Sequence, residues 1–253
     1  MFLASRLLKL QTKVITSGFS IDRLDGLVTW FKFNTNISVA DQDSDSDADI
    51  AWTSSHTDNR VARQTVDAEE PTTTGGYIHF DGSNDNLDIS SNIVLNEFVM
   101  FLALDLDDFT NETILGNSGS ASDFLRFGFQ NLPAKARFRR TSGTYNDDFV
   151  MSEDMTSGTP NLMTIRCFDN GSGTTVQIRR ATKSGATITT NQVLEDTSST
   201  FSFAQDLTIN TIGVQSTSSA AMDGKLYELL VFSGTLSDAN IALIEEDILN
   251  RVA

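Results

Sequence analysis

From Asp25 onward, apolar residues recur at every second position in short runs. Leu27–Phe33 (LVTWFKF) is β-branched and aromatic, and Phe98–Leu106 alternates so that Phe98, Met100, Leu102, Leu104 and Leu106 share one face. Leu125, Phe127 and Phe129 stand opposite Arg126 and Gly128. Leu162–Phe168 and Thr174–Arg180 flank Asp169–Gly173 (DNGSG), which reads as a hairpin because Asn and Gly accept the left-handed backbone of a tight turn. Leu207–Val214 and Lys225–Phe232 complete the series. A period of two, broken by Gly, Asn, Asp and Ser and without intervening helices, predicts an all-β antiparallel two-sheet sandwich of eight or more strands. The period changes only near the end. Ser237 is a good N-cap, Asp238 suits the positive helix end, and Ile241, Ile244 and Ile248 form one stripe. A short C-terminal helix is expected there, with Glu245 and Glu246 elsewhere on its surface.

The first 23 residues differ. Leu3, Leu7, Leu10 and Val14 fall on one helical stripe, with Arg6, Lys9 and Lys13 beside it. The segment reads as an element covering the protein's own sheet, as a docking arm that lays an apolar, basic face on an acidic partner, or as a membrane-surface helix, which the acidic body would oppose on anionic lipid. The expected organisation is an arm over residues 1–23 and one sandwich domain over 24–253. Charge sharpens that division. The formal net charge is −16, but Arg6, Lys9, Lys13 and Arg23 against Asp22 leave +3 on the arm and −19 on the remainder. So acidic a body repels phosphate backbones, which argues against nucleic acid as a partner. The single cysteine, Cys167, excludes an intrachain disulfide, and two histidines, His56 and His79, exclude a multi-histidine metal site. No apolar run approaches the ~18 residues of a membrane span. Arg6 and Lys9 interrupt the apolar N-terminus, so no signal peptide is expected.

Several segments carry a family resemblance. Gly76–Ile89 (GYIHFDGSNDNLDI) resembles the strand–turn–strand "F-D-G-x-x-D" element of laminin-G-like, concanavalin A-like jelly rolls. Leu27–Phe33 is similar to their opening strand. Trp52–Asn59 (WTSSHTDN), with Ala62, Gln64 and Pro71, resembles their "W-x-D-x-S-G-N" loop, although the central glycine and first aspartate are missing. Thr113–Gly116, Ile212–Gly213, and Asp223–Glu228 followed by Leu236–Ala239 are similar to the later strands and closing segment. The resemblance spans about residues 25–253. It implies two antiparallel sheets packed face to face, with ligands on the concave face or rim loops, and a structural role for Glu228 near the sheet edge. This subtype also looks like decoration, fibre or tail-associated proteins of tailed phages. That implies a virion location, with capsid or other virion proteins as partners and a homo-oligomer or larger assembly.

Candidate chemistry is sparse. Asp41, Asp43, Asp45, Asp47 and Asp49 alternate through one loop. Asp43, Asp45, Asp47 and Asp49 could offer Ca²⁺ the oxygens a hard cation wants, but Ala48 and Ser54 stand where an EF-hand needs Gly and Glu. A solvated loop is the alternative. Asp81–Asp85 (DGSND) reads as a tight turn, with Asp81 and Asp85 as candidate glycan or cation contacts at the rim. Tyr145, flanked by polar residues, is the candidate exposed ring for stacking on a sugar. His79, beside Phe80, reads as packed, and Cys167 as a small sheet residue. Arg137 and Arg139 fall on one strand face, either solvated or an oligomer or capsid contact. Retaining glycosidases need two carboxyl groups ~5–5.5 Å apart, which same-face strand positions supply. The only Glu-x-Asp here, Glu245–Asp247, lies on the expected helix and is followed by Asn250. No catalytic residue is assigned. The expectation is a non-enzymatic virion structural protein of a tailed phage, docking through Leu3, Arg6, Leu7, Lys9, Leu10, Lys13 and Val14. The alternative is a carbohydrate-binding module for host-surface or marine glycans.

Overall fold

The computed structural model describes residues 19–41, 43, 48–74, 76–119, 123–140, 145–171, 173–197, 206–215 and 220–253. The N-terminal docking residues Leu3 to Val14 lie outside them. The described chain forms two antiparallel sheets and one helix. Residues spaced for strands pair as strands because each pairing satisfies the backbone while burying the alternate apolar side chains.

The first sheet contains β1 (Leu27–Phe31), β5 (Thr72–Thr74), β6 (Tyr77–Asp81), β8 (Phe98–Leu106), β13 (Asn161–Asp169), β14 (Thr174–Ser184), β15 (Thr187–Asp196) and β17 (Asp223–Ser233). Its order is β15-β14-β13-β8-β17-β6-β5, and β1 pairs with the C-terminal half of β17 beyond β6. The second sheet contains β2 (Ile37–Ala40), β3 (Asp49–Thr53), β4 (Val61–Arg63), β7 (Leu87–Leu95), β9 (Glu112–Gly116), β10 (Phe124–Phe127), β11 (Lys135–Arg140), β12 (Tyr145–Val150) and β16 (Leu207–Ile212). Its order is β12-β11-β10-β9-β16-β7-β4-β3-β2. The expected hairpin is β13–β14, paired from Leu162↔Ala181 to Asp169↔Thr174.

Between the sheets lies the main core. Phe98, Met100, Leu102, Leu104 and Leu106 of β8 enter it with Leu125, Phe127 and Phe138 from the opposite sheet. The odd-numbered residues of β8 are equally buried. Val99, Phe101 and Ala103 face outward into a second apolar layer with Trp30, Leu230 and Phe232. The C-terminal helix α1 (Asp238–Val252) closes that layer with Ile241, Ile244, Ile248, Leu249 and Val252. Ser237 caps it as expected, accepting from Asn240 N at 3.2 Å. Glu245 departs from expectation. It faces the sheet, accepting from Thr164 Oγ1 at 2.8 Å and Arg179 Nη2 at 2.9 Å. The helix covers its polar row as well as its apolar one because β13 and β14 present hydrogen-bonding side chains beneath it. α1 is too short and polar to cross a membrane, and no other helix among the described residues could do so.

A bulge between Leu226 and Glu228 in the β17–β8 pairing puts Tyr227 and Glu228 on the helix side together. Glu228 is fully buried. It accepts from Trp30 Nε1 at 2.7 Å, Arg251 Nη2 at 2.6 Å and Phe33 N at 3.3 Å. One carboxylate thereby joins β1, β17 and α1, the structural role that the resemblance implied. Replacing Glu228 by Ala leaves the buried Trp30 indole N–H without its acceptor and the partly buried Arg251 with Asp247 alone, so the variant is expected to lose about 2–3 kcal/mol in urea denaturation. An unchanged midpoint would contradict this role.

Candidate functional site

The polar end of the sandwich is built where β6 turns into β7 beside the end of β8 and the start of β17. Gly82 adopts φ +77°, and a Cβ there would lie 2.9 Å from Asp223 Cβ, so glycine allows the turn to approach β17. Asp81 N donates to Asp85 Oδ2 at 2.9 Å, and Ser83 N to Asp81 Oδ1 at 2.8 Å. Gly82 N reaches Met222 O and Asp107 N reaches Asp223 O, each at 3.0 Å. The pairing then sets His79 opposite Lys225, and Lys225 opposite Asp105. His79 Nε2 lies 3.2 Å from Asp107 Oδ2, and Lys225 Nζ 3.4 Å from Asp107 Oδ1.

The result is a rim dense in carboxylates. Burial, opposed by the Asp81 amide, pushes Asp85 up to about 6. Asp105 and Asp223 are also raised by burial. Glu112, at the start of β9, is pushed up to about 8 by burial and by its hydrogen bond with Asp108. Its oxygens accept from Thr110 N at 3.1 Å and from Asp223 N. His79, Asp107 and Asp223 bring one ligand atom each within 4.8 Å of one another. A ring nitrogen with two carboxylates suits a borderline transition ion better than calcium, which prefers oxygen throughout.

A second feature adjoins the rim on the outer face of the second sheet. Arg63, Gln64, Thr65, Asp88 and Ser90 line an open groove of about 300 Å³. Arg63 and Asp88 are cross-strand partners between β4 and β7. Gln64 Nε2 donates to Asn86 Oδ1 at 2.9 Å, and Asn86 Nδ2 to Glu69 Oε2 at 3.3 Å, which ties groove to turn. Burial and then the Glu69 charge raise Asp88.

The residues singled out from sequence scatter. Asp81 is exposed on the rim, whereas Asp85 is buried and committed to the turn backbone. Tyr145 lies on β12, with its side chain outside the described residues. Asp43 and Asp49 come together with Asp41, one carboxylate oxygen of each within 4.8 Å of the others, while Asp45 and Asp47 lie outside the described residues. Asp49 is buried at the start of β3, not part of a fully solvated loop. His79, read as packed, is half-buried at the rim because its strand face points away from the core that takes Ile78 and Phe80. Asp107, Asp223 and Glu112 were missed. Asp223 stands in the closing segment, but only the β8–β17–β6 pairing brings it to Asp107, and only the Asp223 amide joins it to Glu112 of the other sheet.

No family model matches the chain, and no curated protein matches it. Among solved structures, it is similar to the Ruminococcus gnavus IT-sialidase CBM40 bound to alpha2,3 sialyllactose, at 13% identity and a TM-score of 0.41. That match covers 63% of this chain and 84% of the other. An arabinofuranosidase complexed with arabinofuranosyl-alpha-1,2-xylobiose matches at 15% identity and a TM-score of 0.42, over 89% of this chain and 48% of that one. NanB sialidase from Streptococcus pneumoniae matches at 14% and 0.43, over 68% and 28%. Likeness at this level concerns general sandwich architecture and carries no argument about ligands.

The rim makes stability depend on pH. A carboxyl whose pKa is higher folded than unfolded holds its proton more tightly in the native state. Glu112 therefore favours the fold below about 4.5, and that advantage is lost as pH rises towards about 8. The loss is on the order of 2–4 kcal/mol. Glu112→Gln, which keeps a donor for Asp108, is expected to flatten the decline between pH 5 and 8 in thermal melts. Parallel profiles for variant and wild type would refute it.

Proposed function

We propose that this chain is a non-catalytic carbohydrate-binding β-sandwich of the concanavalin A-like kind that its sequence resembles. The observation that carries the reading is the unequal treatment of the two sheets. α1 covers the middle of the first sheet's outer face, whereas the second sheet presents Arg63, Asp88 and Ser90 outward along an open groove. Hydroxyl, amide, guanidinium and carboxylate groups in a shallow channel can pair with sugar hydroxyls without enclosing the ligand. Among the described residues that line the groove Asp88 is the one carboxylate, and Glu69 beside it is committed to Gln64 and Asn86, which favours a binding role over a catalytic pair.

Binding is expected to a subset of polysaccharides in affinity electrophoresis, with Asp88→Ala at least tenfold weaker and no release of reducing ends. Reducing-sugar release, or no retardation by any polysaccharide, would overturn the reading. A virion setting is compatible with it and is favoured by the charge division, +3 on residues 1–23 against −19 on the rest. In that setting the arm docks by apolar burial, the basic residues orient it, and the sandwich faces outward. Deleting residues 1–20 is expected to leave a folded protein that no longer co-sediments with particles. Retained co-sedimentation would exclude the arm as the anchor.

A further inference from the structure

Beyond the groove, on the outer face of the second sheet, three arginines converge. Leu125 and Phe127 of β10, and Ala136 and Phe138 of β11, turn into the core, so Arg126, Arg137 and Arg139 turn outward. The register places Arg126 opposite Arg137, and Phe124 opposite Arg139. Like charges directly opposite on paired strands repel unless something compensates.

The compensation is incomplete. Arg137 is paired with Asp148 of β12, Nη2 to Oδ2 at 2.7 Å. Arg126 has neutral partners, Nε to Thr113 Oγ1 at 3.1 Å and Nη2 to Gln215 Oε1 at 2.7 Å. Arg139 Nε is buried and makes no hydrogen bond among the described residues. The guanidinium groups lie over rings: Arg126 at 4.7 Å and Arg139 at 5.9 Å from the Phe124 centroid, and Arg137 at 3.5 Å from that of Phe129. Stacking orients these cations but leaves their charge in place. The Glu112 carboxyl also lies near Arg126, but its oxygens are already committed to the amides of Thr110 and Asp223. Arg126 is itself pulled down to about 10, first by burial and then by Arg137.

We infer that Arg126, Arg137 and Arg139 bind the oxyanion of an acidic sugar residue, a carboxylate or a sulfate ester, within the glycan-binding surface proposed above. The inference rests on that reading and names its ligand class. Planar guanidinium forks match such oxyanions geometrically. The body's charge of −19 opposes an extended phosphate backbone but not one oxyanion held locally. β7 and β10 are three strands apart, with β16 and β9 between them. At ~4.8 Å per strand that is roughly 15 Å, within reach of a short oligosaccharide that also occupies the groove.

The test compares wild type, Arg126→Gln/Arg139→Gln and Asp88→Ala on four probes: polygalacturonate, carrageenan, dextran and a dT oligonucleotide. Wild type is expected to bind one of the acidic polysaccharides at least tenfold more tightly than dextran, with the preference shrinking as salt rises. Polygalacturonate as the winner assigns a carboxylate, and carrageenan a sulfate. The double variant should lose the preference. Equal affinity for acidic polysaccharide and dextran, an unaffected double variant, or tighter binding of the oligonucleotide would overturn the inference. Dextran binding that Asp88→Ala still weakens would leave the proposed function standing without it, whereas no binding of any polysaccharide sinks both. Should the double variant fail to fold, phenylglyoxal labelling of wild type decides. The preferred polysaccharide should protect Arg126 and Arg139 at least fivefold, and unprotected arginines would refute the assignment.

Discussion

The sheet built around β8 is apolar on both faces, and the rest of the molecule is arranged to cover it. All nine residues of Phe98–Leu106 are buried. The even-numbered side chains need an opposing sheet, and the odd-numbered ones need something on the outside. At roughly 1.5–3 kcal/mol for each large apolar side chain removed from water, neither face can be left open. The second sheet satisfies one demand and α1 the other. Among the described residues the one long helix is committed to the first sheet, so the outer face of the second stays open and carries mostly polar side chains. The open groove and the arginine patch on the second sheet follow from that division.

Attaching the helix takes polar chemistry as well as burial. Glu228 collects an indole N–H, an arginine and a backbone amide in a site closed to water. Glu245 does similar work from the helix side. At the rim the same physics runs the other way. Asp85, Asp105, Glu112 and Asp223 are drawn to one end of the sandwich by strand pairing, the β6–β7 turn and the Asp223 amide, with few cations beside them, and burial raises all four. The rim and the arginine patch are oppositely charged regions joined through β9, whose first residue is Glu112 and whose second, Thr113, supports Arg126. An acidic protein can therefore hold a local basic surface.

Much of the fold was legible in the pattern of side chains. The alternation through Phe98–Leu106 named the correct inward set, the DNGSG turn marked a true hairpin, and Ser237 marked the start of the helix. The site was less legible. His79 next to Phe80 looked like core, because alternation says which residues share a face but not where a strand lies along the rim. Glu245 looked solvated because helical spacing identifies the apolar stripe and is silent on the polar groups opposite it. Arg137 and Arg139 were seen to share a face, but nothing local placed Arg126 beside them.

By itself, the sequence determined the class of fold, the sheet-facing residues and the split of charge, +3 on residues 1–23 against −19 on the rest. Those follow from periodicities of two and 3.6 and from charge counted along the chain, which are local quantities. Tertiary structure decided which sheet the helix seals, which carboxylates share the rim and which arginines crowd one another. Those depend on pairing between residues far apart in the chain, such as Lys225 with His79 and with Asp105, and on the bulge that turns Glu228 towards Arg251. A one-residue shift in any of these registers would send the same side chains to the opposite face.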